Sequence, residues 1–225
     1  MEFRRVLFRS DFLANVEWFI RNRADLVGHA CYSVGCDSCT RYVLSIADPN
    51  QFHKIASRLW DPSEFLSAHG IRSLSKYHKA HPFQFEDHRL GYEPGESEAQ
   101  LKGGNSNWRG PVWFPTSYLL IHCLLRFSEA LGPDFLVRPS DGGDSVTPRF
   151  MAQQIAERMM RIFTRDQSGR RACFGEQRKF QTDPHWRDYL LFNEYYHGET
   201  GAGLGASHQT GWTGLIANLI DEWRR

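Results

Sequence analysis

The chain has 225 residues, of which 41% are hydrophobic and 24% charged, a composition that supports a packed core and excludes a disordered polymer. Its 27 basic and 26 acidic residues are interspersed and leave a formal net charge of +1, with no basic block to call for nucleic acid or an anionic membrane. No apolar run approaches the ~20 residues of a membrane-spanning helix, since the best, at 118–125, is interrupted by His122.

Residues 1–10 are basic and apolar, but the apolar stretch is too short and too broken by arginine for a signal peptide. The sequence FRRVLFRS at 3–10 reads instead as the in-frame translation of a common sequencing-adapter end. Residues 1–10 are therefore expected to be non-native, and 11–225 to form a single domain. A helical stripe follows at 12–22, with Phe12, Leu13, Val16, Phe19 and Ile20 on one face.

Five cysteines, an odd number without a secretory signal, point to reduced thiols and a cytoplasmic setting. Cys31, Cys36 and Cys39 have the C-x4-C-x2-C spacing of some iron–sulfur proteins, but Cys123 is too distant to supply the fourth thiolate. Unpaired thiols in a Gly/Ser loop are the expectation. Two short helices are predicted at 41–46 and 52–59, and then a loop of weak periodicity at 65–85 that carries Arg72, Lys76, His78 and His81. That loop reads equally as functional or as a solvated crossover.

The segment GGNSNWRGPVWFP at 103–115 crowds Asn105, Asn107, Trp108, Arg109 and Trp113 behind two glycines at a helix start. Two indoles and a guanidinium supply stacking faces and fixed donors for a hydroxylated ring, although tryptophans at a helix start are often core. The helix itself is predicted at 111–131, bounded by Pro111 and by Gly132-Pro133. After a short Pro/Gly/Ser/Asp loop at 139–148, a second helix is predicted at 148–163 and a last one at 211–223. Strand alternation is scarce, so the class is mainly α.

Between the last two helices, at 185–215, Glu194 lies between an apolar run and two tyrosines, and a glycine-rich turn leads on to His208, Gln209 and Trp212. Glycosidic bonds are cleaved by a pair of carboxyl groups, which in inverting enzymes stand ~6.5–9.5 Å apart, one protonating the leaving oxygen and the other activating water. Glu194 can fill the second role, but on composition alone a surface ion pair or a core-edge hydrogen bond is the stronger reading.

Taken together, GGNSNWRGPVWFP and FNEYYHGETGAGLGASHQTGWTGL resemble the C-terminal signature of glycoside hydrolase family 63, and GIRSLSKYH, Tyr92-Glu93-Pro94 and DPHWRD extend the resemblance over most of residues 11–225. The resemblance implies roughly the C-terminal half of an (α/α)6 six-hairpin toroid. It also implies inverting hydrolysis of α-linked glucosides or related sugars, an oligosaccharide or small α-glycoside as substrate, and neither catalytic metal nor cofactor. Carried over by position, Glu194 is the general base. Trp108 and Arg109 form the substrate-side motif, with Asn105, Asn107 and Trp113 around them and Tyr195, His208, Gln209 and Trp212 behind. The general acid, an aspartate, is expected upstream of Asp11, which would leave this chain inactive by itself. Two other readings stand beside the enzyme: a carbohydrate-binding helical module without chemistry, and a helical scaffold whose tryptophans are core.

Overall fold

The computed structural model describes residues 10–28, 31–36, 39–98 and 107–223. The adapter-like segment up to residue 9 and Asn105 lie outside these residues. Two compact units divide at residues 54 and 55.

The first unit holds α1 (Ser10–Asn22), the short α2 (Ala24–Val27) and an antiparallel hairpin of β1 (Cys31–Cys36) and β2 (Cys39–Leu44). Two sequence expectations are corrected here. Residues 41–46 are not helical, because Tyr42, Val43 and Leu44 pair in register with Ser33, Tyr32 and Cys31. Aromatic and β-branched side chains favour such a pleated surface, and a six-residue apolar run has no period long enough to tell helix from strand. For the same reason the cysteine cluster is not a loop: it forms this hairpin, with Cys36 opposite Cys39 at its turn. Helix α3 (Pro49–Leu59) spans the boundary between the units.

The second unit is built around α4 (Phe114–Leu131) and α5 (Pro148–Arg161), which pack on each other. Pro115 occupies the first turn of α4, where its missing N–H leaves no bond unmade, and Gly132 ends the helix at φ 89°. Thr147 caps α5 by accepting a hydrogen bond from the Phe150 amide, 3.2 Å. Met151, Ala152, Ile155, Ala156 and Met159 then fall on one face of α5 and are fully buried. The predicted helix at 211–223 is two pieces, α7 (Thr210–Thr213) and α8 (Ile216–Trp223), because tight i→i+3 bonds from Leu215 to Trp212 and from Ala217 to Gly214 interrupt it. Helix α6 (Arg178–Thr182) lies between.

The molecule is mainly helical, and its strands are short antiparallel hairpins: β3 (Leu66–Ser67) with β4 (Gly70–Ile71), β5 (Phe83–Phe85) with β6 (His88–Leu90), and β7 (Tyr195–Tyr196) with β8 (Gly203–Leu204). The long segment at 65–85 is thus folded into turns and strands instead of running as a loop. Among the described residues no helix is long and apolar enough to cross a membrane, and no group of three or more His, Cys, Asp or Glu side chains is placed to hold a metal ion.

Candidate active site

Val112, fully buried, joins the three segments that the sequence singled out. It bridges Arg72 on one side and Tyr196 on the other, exchanging backbone hydrogen bonds of 2.8 and 2.9 Å with Tyr196. The Ser73 amide donates to the Pro111 carbonyl (3.0 Å), the Glu93 amide to the Arg109 carbonyl (2.7 Å) and the Gly198 amide to the Pro94 carbonyl (2.8 Å). Segments scattered over more than a hundred positions therefore form one wall.

Asn107 is the fastener of that wall. Its side-chain amide donates to the carbonyls of Glu93 (2.7 Å) and Gly95 (2.8 Å), its side-chain oxygen accepts from the Arg109 amide (2.9 Å), and its own carbonyl accepts from the Trp113 indole (3.0 Å). Fully buried, it holds the substrate-side motif in shape and offers no edge to a ligand. Arg109 is likewise engaged, donating to the Glu93 carboxylate (2.7 Å) and to the Ser97 hydroxyl (2.8 Å).

The aromatic residues stack in a column. Trp108 lies parallel to Trp113, with ring centres 3.7 Å apart and an interplanar angle of 7°, and Trp113 stacks on Tyr195 at 4.6 Å. Trp212 meets Trp113 edge-on at 5.6 Å. Trp113 and Tyr195 are fully buried, whereas Trp108 is 49% exposed and presents its outer surface to solvent. An indole backed by a rigid stack is a flat apolar platform of the kind on which a sugar ring rests. His208 is exposed and tilted against Phe192, and Gln209 donates its amide to the Phe192 carbonyl, 2.6 Å.

Glu194 immediately precedes β7, at the base of the β7–β8 hairpin. Its amide donates to the Ala206 carbonyl (2.9 Å) and its Oε2 accepts from the Ala206 amide (3.0 Å). The neighbouring Gly205 amide reaches a second carboxylate, Glu96, at 3.4 Å. The glycines of this turn are required by packing. A Cβ on Gly203 would lie 2.1 Å from the Asn193 side-chain oxygen, and one on Gly205 2.7 Å from Glu194 Oε2. Burial, followed by the charges of Glu96 and Glu194, pushes the Tyr195 phenol up to about 12, which keeps it a neutral donor. A carboxylate oriented by a backbone amide can accept a proton from water positioned against it.

Glu199, which sequence reasoning did not single out, occupies the tip of the same hairpin. It receives Arg72 through Nε (3.2 Å) and Nη2 (3.3 Å), Lys76 Nζ (3.2 Å) and the Tyr92 hydroxyl (2.5 Å). Burial pushes its carboxyl up, but the Tyr92 hydrogen bond and the Arg72 and Lys76 charges outweigh it and hold the group at about 2. Arg72 Nη1 meanwhile donates to the Pro62, Glu64 and Leu66 carbonyls. Arg72 and Lys76 were visible in the sequence as charges in a segment of weak periodicity. Their partner stands 127 and 123 positions away, beyond any local pattern.

Comparison with known proteins identifies the family. Residues 17–213 match the mannosylglycerate hydrolase MGH1-like glycoside hydrolase domain. The chain is 44% identical over 219 residues to the uncharacterized protein YMR196W of Saccharomyces cerevisiae, covering 94% of this chain and 20% of that protein. It is 23% identical over 177 residues to a probable mannosyl-oligosaccharide glucosidase of Schizosaccharomyces pombe, covering 78% of this chain and 16% of that protein. The chain thus spans about a fifth of the length of the curated relatives it matches. With a domain match over nearly the whole described length and the family 63-like motifs assembled into one wall, the chain belongs to the MGH1-like glycoside hydrolases, a family of carbohydrate-cleaving enzymes.

Proposed function

We propose that the whole protein is an inverting α-glycosidase of the glucosidase type in which Glu194 is the general base. The observation that carries this reading is the Glu194 carboxylate, held by the Ala206 amide at 3.0 Å and adjoining the Tyr195 end of the Trp108–Trp113–Tyr195 column. Trp108 supplies the ring platform. Arg109, Asn107, Trp113 and Tyr195 keep it rigid, and His208, Gln209 and Trp212 line the chain behind Glu194, with Asn105 assigned to the same motif by sequence. The helices α4, α5 and α8 are read as part of an (α/α)6 toroid, roughly its C-terminal half. The proton donor to the leaving oxygen is an aspartate contributed by a more N-terminal part of the protein. Without it the 225-residue chain turns over no glycoside, since a positioned acid is worth typically ~10²–10⁴-fold.

Glu194→Gln in the full-length protein tests the assignment. Glutamine keeps the size and the bond from the Ala206 amide but cannot take a proton from water. Turnover of the α-glucoside or α-mannoside that the wild type cleaves is expected to fall by ~10²–10⁴ with the fold intact, and nuclear magnetic resonance of the first product is expected to show inverted anomeric configuration. Unchanged turnover removes Glu194 from the role. Sugar binding without any turnover by the wild-type protein would favour a non-catalytic carbohydrate-binding module.

A further inference from the structure

The β7–β8 hairpin is hydrogen-bonded along its length, from Glu194 at its base to Glu199 at its tip. The Glu194 amide donates to the Ala206 carbonyl (2.9 Å), Tyr195 and Tyr196 pair with Leu204 and Gly203, and the His197 amide donates to the Ala202 carbonyl (2.8 Å). Beyond the strands, His197 Nδ1 accepts from the Glu199 and Thr200 amides at 3.1 and 3.2 Å. A shift of the tip is therefore passed down the ladder to the base. The tip itself is seated on other segments: the Gly198 amide donates to the Pro94 carbonyl (2.8 Å), and a Cβ on Gly198 would collide with the Gly110 carbonyl oxygen.

Glu199 ties this tip to both sides of the wall. Its Oε1 accepts from the Tyr92 hydroxyl and Arg72 Nε, and its Oε2 from Arg72 Nη2 and Lys76 Nζ. With two donors on each oxygen, the carboxylate has its acceptor sites filled from within the fold and none left for a ligand. Arg72, buried, belongs to the backbone bridge to Val112. Tyr92, also buried, is followed by Glu93, which holds Arg109 twice: its amide donates to the Arg109 carbonyl, and its carboxylate accepts from the Arg109 guanidinium, both at 2.7 Å. Arg109 in turn adjoins Trp108 in the chain. Glu199 thus closes a circuit of contacts that starts at Glu194, climbs the hairpin, crosses to Tyr92 and returns through Glu93 and Arg109 to the segment that carries Trp108.

We propose that Glu199 is a positioning residue for the glycosidase site, a clamp that fixes the hairpin bearing Glu194 relative to the segment bearing Trp108. The inference rests on the reading of Glu194 as general base. Its test uses the full-length protein and the glycoside that the wild type cleaves, at a temperature where every variant is fully folded. Glu199→Gln keeps the size of the side chain and drops its charge, and Tyr92→Phe removes one donor and leaves the charge. Because a small misplacement far from the reacting atoms costs turnover more than binding, Glu199→Gln is expected to lower kcat at least tenfold with KM within about threefold of wild type, and Tyr92→Phe to lower kcat by a smaller factor. Glu199→Asp, which restores the charge, is expected to recover part of the loss. Ile155→Val, in the buried face of α5, removes stability through packing alone and is expected to leave kcat unchanged. A wild-type kcat in both Glu199→Gln and Tyr92→Phe would overturn the proposal, as would a loss in Ile155→Val equal to that in Glu199→Gln. Glu194→Gln measured alongside separates the two levels: unchanged turnover there removes the base and the clamp with it, whereas loss there with none in the Glu199 and Tyr92 variants removes the clamp alone.

Discussion

At the scale of the residue, the two glutamates of the β7–β8 hairpin do opposite things with the same side chain. Glu194 accepts from the Ala206 amide at 3.0 Å, whereas Glu199 is gripped by Arg72, Lys76 and Tyr92. The grip has a consequence for stability. The Glu199 carboxyl, ordinarily at 4.5, is held at about 2 in the fold, so its stabilisation is complete above 4.5 and is lost as the pH falls from there through 2. The side chain is one-third exposed, and after allowance for solvent screening the contribution is about 1–2 kcal/mol. Glu199→Gln is therefore expected to lower unfolding free energy by that amount at neutral pH, and by much less near pH 2, when urea melts are compared across the acid range. A constant difference at every pH would mean that the charge of Glu199 is not what the pocket of Arg72 and Lys76 holds. Glu194 was legible from its neighbours in the chain, because Asn193, Tyr195, Tyr196 and the glycine-rich turn are consecutive or nearly so. Glu199 was not, because everything that defines it comes from other segments.

At the scale of the element, punctuation carried further than periodicity. The end of α4 at Gly132 and the start of α5 at Pro148 were readable because such residues fix where a helix stops and starts irrespective of what packs on it, whereas α4 begins at Phe114 and not at Pro111, from which it was read. The β1–β2 hairpin was misread because its six-residue strands have no such marks and their pairing is set by a partner across the turn. The β7–β8 hairpin lies between these cases. Its glycines announce a tight turn, but which contact each one serves emerges only in three dimensions, with Gly203 over the Asn193 side chain and Gly205 over the Glu194 carboxylate. Gly205 also has φ 67°, a conformation that an L side chain adopts only with strain. Gly205→Ala would drive a methyl group against Glu194 Oε2 and Tyr195 Cε1, at 2.7 and 2.6 Å. It is expected to destabilise the unit by about 1–3 kcal/mol and, in the whole protein, to depress turnover by displacing Glu194 without removing it. Thermal melts together with turnover rates check both halves, and a variant with wild-type values in each would show that the turn has room the packing denies it.

At the scale of the whole molecule, the deciding fact is that the chain corresponds to about a fifth of its relatives' length. The second unit buries a continuous core from Met151, Ile155 and Met159 to Ile121, Leu124 and Leu219, yet it leaves large apolar side chains in water: Ile55, Leu119, Leu136 and Ile220 are 53%, 69%, 50% and 44% exposed. Single exposed leucines need no explanation, but apolar positions on several helices that have no cover within the unit favour association with another apolar surface. Under the toroid reading proposed above, that surface would be supplied by neighbouring hairpins, so the 225 residues by themselves are expected to self-associate and a longer chain carrying those hairpins is not. Sedimentation velocity over a range of concentrations distinguishes the two: a sedimentation coefficient that climbs with concentration for the short chain and stays constant for the whole protein is the expected result. Asp or Lys in place of Leu119, the most exposed of the four, should reduce the association of the short chain with little effect on its melt, because the side chain contributes little to the core of its own unit. A 225-residue chain that sediments as one monomer at every concentration would mean that these helices form a closed body and would count against the proposed toroid.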